Sequence, residues 1–353
     1  MTDVPLLSIV FPVYNAEKYL AQAVESILNQ TFHDFVFLAI NDGSTDGSVA
    51  ILTDFQAKDS RLQVLHQPHN LGLIAALNRG CSATQSRYIA IMHADDVSLP
   101  ARFERQIGYL ETHPEIGVLG TWIKHLDSQG HIFKEIRYPT LPGLVKWILP
   151  FYCSLAHPAV MMRRAAIAPL GFYREGQLVV EDYDLWARAS QITQLANYPE
   201  VLLYYRLSET SWSGRNKAIQ EQNALRIAHR MVTDLIGDVD PNAVRLLCDL
   251  AADRMPPTVQ DAFQTATLIA QMHRAFLLKN NLAPENKLAV SRDAANKLFI
   301  LAAHIRRFSV LDSLRLTLRG LTIAPLSRDQ IQRGIQRLRA GNRGSYFVEP
   351  KNE

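Results

Sequence analysis

Hydrophobic positions in the first 220 residues follow two alternating periods. Ser8–Val13 (SIVFPV) is a near-continuous apolar run that reads as a buried strand. Asn15 then sits where a helix N-cap belongs, and Leu20, Ala23, Val24, Ile27 and Leu28 follow at i, i+3, i+4, i+7 and i+8 of an amphipathic helix. Phe35–Ile40 predicts a second strand and Ser48–Phe55 a second helix. Leu62–Leu65, Leu73–Cys81 and Tyr88–Met92 continue as strand, helix and strand. This alternation predicts right-handed βαβ units around a largely parallel sheet. Ligands bind such sheets at the carboxyl ends of the strands. After residue 220 the strand signal stops, whereas Leu298, Leu301, Ala302 and Ile305 keep helical spacing, as do Ile331, Ile335 and Leu338. The expected organisation is an α/β domain over residues 1–220 and a helical region over 221–353.

Composition narrows the class. A chain of 353 residues with 48% hydrophobic and 20% charged positions is ordinary globular protein, which excludes a disordered or fibrous chain. The net charge of +3 is too mild to imply nucleic-acid binding, and none is expected. Cys81, Cys153 and Cys248 form no CxxC pair, which argues against a disulfide scaffold or a cysteine zinc site and fits a reducing compartment. The most apolar stretch, Leu144–Met162, is interrupted by Lys146, Pro150, His157 and Pro158, so no membrane span is predicted. The N-terminus lacks a basic segment and cleavage site. The expected location is the cytoplasm, at the inner face of the cell membrane if the basic tail docks there. That tail carries nine arginines (306, 307, 315, 319, 328, 333, 337, 339 and 343) against Asp312 and Asp329. It reads either as a solvated helix face or as a surface for anionic lipid headgroups. Helices without an obvious partner face leave a homodimer open.

Candidate chemistry sits at the predicted strand ends. Tyr14, just past the first strand, either packs at the rim of the core or stacks on a flat base. The second strand runs into Asn41-Asp42-Gly43-Ser44-Thr45-Asp46-Gly47. This segment imitates the start of a calcium-binding EF-hand loop, but it has Thr53 where the bidentate glutamate belongs and a strand in place of the first helix. What remains is a turn with helix-capping side chains, or a carboxylate placed to accept from a nucleobase N–H. The fourth strand ends in His93-Ala94-Asp95-Asp96, an acidic turn before a helix or a seat for a hard cation, because adjacent carboxylates repel unless a cation lies between them. Glu181-Asp182 opens a helix, where acidic residues favour the dipole, and Asp182 could equally take a proton from an alcohol. His157 reads as a satisfied core histidine or a site residue, and Arg206 as a helix cap or a phosphate partner.

LLSIVFPVYNAEKYL, FLAINDGSTDGS, HNLGLIAALNRG, YIAIMHADDVSLPARF, HPAVMMRR and VVEDYDLWAR, in this order and spacing, resemble family 2 glycosyltransferases over residues 6–213. The resemblance implies a Rossmann-like A-type glycosyltransferase fold with a mostly parallel central sheet. It also implies an inverting enzyme that moves a sugar from a nucleoside-diphosphate sugar, UDP by default, to a hydroxyl of a glycan or lipid-linked glycan in polysaccharide or cell-envelope synthesis. Pro12, Tyr14, Asn41 and Asp42 then line the nucleoside pocket, and Asn70, Gly72 and Arg79 close over base and ribose. Asp95 is expected to hold Mg²⁺ or Mn²⁺ with help from His157, while His93, Asp96 and Arg206 face the donor. Asp182 is the expected base, with Glu181 beside it. Two positions depart from the family pattern, His93 where Asp-Ala-Asp-Asp is common and Ser208 where many relatives have a histidine. A sugar nucleotidyltransferase is disfavoured because FPVYNAEKY has no glycine, and a Rossmann dehydrogenase because no GxGxxG follows Val10. The alternative of a different kind is a catalytically silent sugar-nucleotide-binding or scaffold protein, which His93 invites.

Overall fold

The computed structural model describes residues 4–207 and 216–325. Strands are β1 (Leu7–Val13), β2 (Phe35–Asn41), β3 (Leu62–His66), β4 (Tyr88–Ile91), β5 (Val97–Ser98), β6 (Ile116–Leu126), β7 (Ile132–Ile136), β8 (Met161–Arg163) and β9 (Gln194–Arg206). Helices are α1 (Glu17–Leu28), α2 (Ser48–Lys58), α3 (Leu73–Ala83), α4 (Arg102–Thr112), α5 (Pro142–Ile148), α6 (Arg164–Ile167), α7 (Glu181–Ala189), α8 (Lys217–Ile236), α9 (Pro241–Ala251), α10 (Val259–Lys279), α11 (Pro284–Ile305) and α12 (Val310–Ile323). Two compact units emerge, one from Met1–Lys146 with Cys153–Asn223 and the other from Trp147–Tyr152 with Ala224–Glu353.

The first unit is an α/β layer built on one sheet in the order β3-β2-β1-β4-β8-β6-β9-β5, with β7 paired to β6. By length of ladder the pairing is mostly parallel. β3, β2, β1 and β4 run together, as do β6 and β9, and the short strands β8, β5 and β7 pair antiparallel. Leu7, Ile9, Phe11 and Val13 point to the face covered by Leu20, Ala23, Val24 and Ile27 of α1 and Phe103, Ile107 and Leu110 of α4. On the opposite face α3 comes so close that a Cβ on Gly80 would lie 2.5 Å from a Val10 methyl. Helices on both faces explain why β1, β2 and β4 read as continuous apolar runs. Since β1, β2 and β4 are parallel, the segments after Val13, Asn41 and Ile91 share one edge of the sheet.

Two pairings fix where the chemistry falls. β8 runs antiparallel to β4 with Ala90 opposite Met161, which brings the residues before β8 to the end of β4. β5 runs antiparallel to β9 with Val97 opposite Tyr204, which sets Asp95 and Asp96 against the end of β9. Asn15 is not the cap of α1. It takes a left-handed conformation (φ 47°), and Ala16 flanks the helix with no side-chain cap. The Asn15 amide oxygen is spent on the backbone N–H of Thr45 at 2.8 Å, while Asp46 accepts from both Glu17 N and Ser48 N at 3.0 Å. The two loops therefore cap each other.

In the second unit, Leu298, Leu301, Ala302 and Ile305 lie on the buried side of α11. Ile331, Ile335, Leu338, Ser208 and the arginines from 328 onward lie outside the described residues. Among the described residues no helix is long and apolar enough to cross a membrane.

Candidate active site

At the ends of β1 and β2, Tyr14 stands exposed at the rim, Pro12 is half-buried, and Asn41 and Asp42 are buried. Asp42 is only 3% exposed because its carboxylate grips the loop between β3 and α3. Oδ1 accepts from Gln67 Nε2 at 2.7 Å and Leu71 N at 2.8 Å, and Oδ2 accepts from Gly72 N at 2.9 Å. Asn70 Oδ1 also accepts from Gly72 N at 2.9 Å, and Arg79 Nη1 donates to the His66 carbonyl at 2.8 Å. Asn41 accepts from Ser44 N and donates through Nδ2 to His66 Nδ1 at 3.2 Å. This loop lies so close to the β2 turn that a Cβ on Gly43 (φ +70°) would sit 2.6 Å from the His69 carbonyl carbon, so only glycine fits there. Asp42→Asn sets an amide N–H against the Gly72 N–H or, turned over, withdraws the oxygen shared by Gln67 Nε2 and Leu71 N. It is expected to cost about 1–3 kcal/mol of stability, which chemical denaturation checks, and an unchanged value would contradict the clamp.

Past β4, His93, Asp95 and Asp96 each offer one ligand atom, all within 4.8 Å of one another. Asp96 is 1% exposed, with Oδ1 accepting from Arg206 N at 2.8 Å and Oδ2 lacking any hydrogen-bond partner. Burial, and then the charge of Asp95, push its carboxyl well above the ordinary range. The Arg206 guanidinium is committed to the frame. Nε donates to the Asp95 carbonyl at 2.8 Å, Nη1 to the Asp127 carbonyl at 3.0 Å and Nη2 to Gln22 Oε1 at 2.9 Å, with the plane 4.1 Å over the Tyr19 ring. Beneath lies Arg102, fully buried, whose Nη2 ties the Ile91 carbonyl (2.9 Å) to that of Val160 (3.3 Å) and so joins the ends of β4 and β8. Burial draws its pKa down to about 9. His157 stands behind His93, its Nδ1 3.2 Å from His93 Nε2 and its Nε2 2.8 Å from the Tyr173 hydroxyl.

The third part comes from α7. Its first turn holds Glu181, Asp182 and Asp184, where the helix dipole favours negative charge. Asp184 is buried against Arg188 (2.7 Å), which also donates to the Leu170 and Phe172 carbonyls and so anchors the segment leading to Tyr173. Val179 enters the helix at φ 66°, a costly conformation for a β-branched residue, with its carbonyl met by Gln220 Nε2 at 3.3 Å. Burial pushes Asp182 up to about 6, although Tyr183 N donates to it at 2.7 Å. Glu181 is raised to about 8 by burial and then by the charge of Asp182. At neutral pH such a pair carries one proton and one charge. The Tyr205 hydroxyl is raised well above its usual range, first by burial and then by the charges of Asp96, Asp95 and Asp182, so the three carboxylates act on one side chain.

The family model of glycosyl transferase family 2 matches residues 8–168. An uncharacterized glycosyltransferase of Haemophilus influenzae is 32% identical over 251 residues, which are 66% of this chain and 75% of that protein. The chain belongs to glycosyltransferase family 2. The O-antigen biosynthesis glycosyltransferase WbnJ of Escherichia coli is 33% identical over 211 residues, covering 58% of this glycosyltransferase and 81% of WbnJ. Among solved structures, Staphylococcus aureus TarS 1–349 with UDP-GlcNAc superimposes with a TM-score of 0.54 at 15% identity, over 93% of this chain and 92% of that one. The mannosyltransferase PcManGT of Pyrobaculum calidifontis, with GDP-Man and Mn²⁺, gives 0.52 at 14% identity over 97% and 89%. These two likenesses speak for the A-type fold.

In this glycosyltransferase the residues expected from the sequence fall into three places. Asn41, Asp42, Asn70, Gly72 and Arg79 gather around the loop after β3, and Pro12 and Tyr14 lie at the end of β1. His93, Asp95 and Asp96 form the ligand group, with His157 behind it rather than within it. Asp182 and Glu181 open α7. Sequence reasoning passed over Arg102, Tyr173 and Tyr205. Arg102 shares the buried side of α4 with Phe103, Gln106 and Leu110, and an arginine on that apolar stripe was the available signal.

Proposed function

We propose that this glycosyltransferase moves a sugar from a nucleoside-diphosphate sugar, a UDP-sugar by default, onto a hydroxyl of a glycan or lipid-linked glycan with inversion at the anomeric carbon. The observation that carries the reading is Asp182. Its carboxyl, raised to about 6, is basic enough to accept a proton, and its charge acts on the Tyr205 hydroxyl together with those of Asp95 and Asp96. In a single displacement the acceptor oxygen bonds to the anomeric carbon as the bond to the diphosphate oxygen breaks, and the hydroxyl proton passes to Asp182. Glu181, kept protonated by burial, spares the pair a second charge.

The residues beside β4 fit a divalent cation. Asp96 Oδ2 is a buried carboxylate oxygen without a partner, an arrangement that costs stability unless a proton or a cation meets it. His93, Asp95 and Asp96 would hold the ion, and when bound it supplies Lewis-acid neutralisation of charge on the departing diphosphate. TarS is known in complex with UDP-GlcNAc and PcManGT in complex with GDP-Man and Mn²⁺, and WbnJ is named for O-antigen synthesis, which supports the donor and acceptor classes. The test is release of nucleoside diphosphate from a panel of donors with Mg²⁺ or Mn²⁺. Turnover of one donor class supports the transferase, and binding with no release across the panel supports a silent binding protein.

The acceptor reading gains from α12. Leu311, Leu314 and Leu318, on one face of that helix, are 61%, 55% and 63% exposed, and Arg306 and Arg307 stand exposed nearby, while Arg315 pairs with Asp312 at 2.9 Å. An apolar stripe edged by arginines suits an anionic lipid surface, each basic residue adding about 1 kcal/mol. The full chain is expected to float with phosphatidylglycerol vesicles and to lose this with L311S/L314S/L318S. Equal flotation of the two proteins, or a dimer dissolved by the same changes without any flotation, would contradict lipid docking.

A further inference from the structure

The choice of cation rests on the metal reading above and deepens it. We infer that His93 binds the ion directly through Nδ1, and that His157 and Tyr173 hold its ring in the form able to do so, tilting the site toward transition-metal ions and away from Mg²⁺.

The placement follows from the sheet. Because β4 and β8 are antiparallel neighbours, His93 leaves β4 where His157 approaches β8, and the two rings meet edge to face with centroids 5.1 Å apart. His93 Nε2 is thereby taken by His157. Its Nδ1 lies toward Asp96, 3.9 Å from Oδ2. That gap is too long for a hydrogen bond, and Oδ2 is buried with no other partner. Asp95 adds a second carboxylate within the same 4.8 Å group. The donor set is therefore one imidazole and two carboxylates. All-oxygen sites suit Mg²⁺, whereas an imidazole shifts preference toward first-row transition metals.

Tautomer logic extends the assignment to His157 and Tyr173. A neutral imidazole has one N–H and one lone pair. For the lone pair of His93 to sit on Nδ1, Nε2 must carry the hydrogen and donate to His157 Nδ1, and His157 Nε2–H then donates to the Tyr173 oxygen 2.8 Å away. Tyr173 is itself fixed, because Asn78 of α3 accepts from its N–H at 3.0 Å and donates to its carbonyl at 2.8 Å. Metal-bound histidines usually have the second nitrogen held in this way, and losing the holder weakens the site. His157 and Tyr173 are thus positioning residues for the ligand His93.

Mn²⁺ serves as the probe, bound to the full chain in the presence of UDP and read by pulsed electron paramagnetic resonance. Wild type is expected to show ¹⁴N modulation from a directly bound imidazole. His93→Asp, which restores two acidic residues around Ala94, should bind Mn²⁺ without that modulation and release it at a lower Mg²⁺ concentration. His157→Ala is expected to weaken Mn²⁺ binding about 10- to 100-fold, while His157→Asn, whose Oδ1 can stand where Nδ1 does, keeps most of it. Mn²⁺ bound to wild type without ¹⁴N modulation overturns the ligand assignment and leaves the metal reading standing. No Mn²⁺ binding at all overturns both. Equal Mn²⁺ affinity for His157→Ala and wild type overturns the positioning role.

Discussion

Asp182→Asn is expected to slow transfer by about 10²–10⁴-fold, the usual worth of a positioned proton acceptor, with donor affinity and thermal stability close to wild type. The amide keeps the size of the side chain and cannot take the proton. The expectation rests on burial at the start of α7, which raises the Asp182 carboxyl to about 6 while Glu181 rises to about 8. Rate should therefore fall on the acid side as the pair takes up its second proton, with an apparent value near 6 that belongs to both groups. Below that value Asp182 is already protonated and cannot act as a base. Steady-state rates of the variant and a pH profile of wild type check the two statements. A variant with near wild-type turnover and intact donor binding would remove Asp182 from the chemistry.

The second large effect is expected at the cation. Chelation with EDTA should abolish transfer, and Asp95→Ala should reduce it by about 10²–10³-fold or more, since charge neutralisation by a metal is worth several kcal/mol and each tenfold in rate is about 1.4 kcal/mol. Nucleoside-diphosphate binding should also lose its dependence on Mn²⁺ in Asp95→Ala, which titration calorimetry reads directly. Asp96 has a different part: one oxygen holds Arg206 N and the other faces the ligand group, so its loss would disturb the end of β9 as well. Transfer that persists in EDTA would contradict the account of the leaving group.

The strands that could be read from sequence are those buried on both faces. β1, β2 and β4 are unbroken apolar runs, and the side chains of α1 keep their helical spacing, so the parallel half of the sheet and its carboxyl edge were legible. β6 and β9 were not. Gly117 and Gly120 interrupt β6 because a Cβ there would collide with Thr193 and Asn197, and Pro199 and register shifts break the pattern of β9. In the site, residue types were legible but their partners were not. Asn15 has the right identity for a cap, yet its amide is drawn to Thr45, thirty residues on. Asp42 stands where an acceptor for a base belongs, and three N–H groups from the loop after β3 already fill most of it. His157 lies behind His93 because strand pairing, invisible in the chain order, brings the segment before β8 to the end of β4. Arg206 was expected at the donor and is spent on carbonyl oxygens and Gln22.

In the proposed mechanism Asp182 directs an acceptor oxygen to the face of the sugar opposite the departing diphosphate. Proton NMR of the first sugar released when the enzyme and Mn²⁺ leak an α-linked donor to water, recorded before the anomers equilibrate, tests it most directly. Inversion releases the β anomer first. Initial release of the α anomer would contradict it.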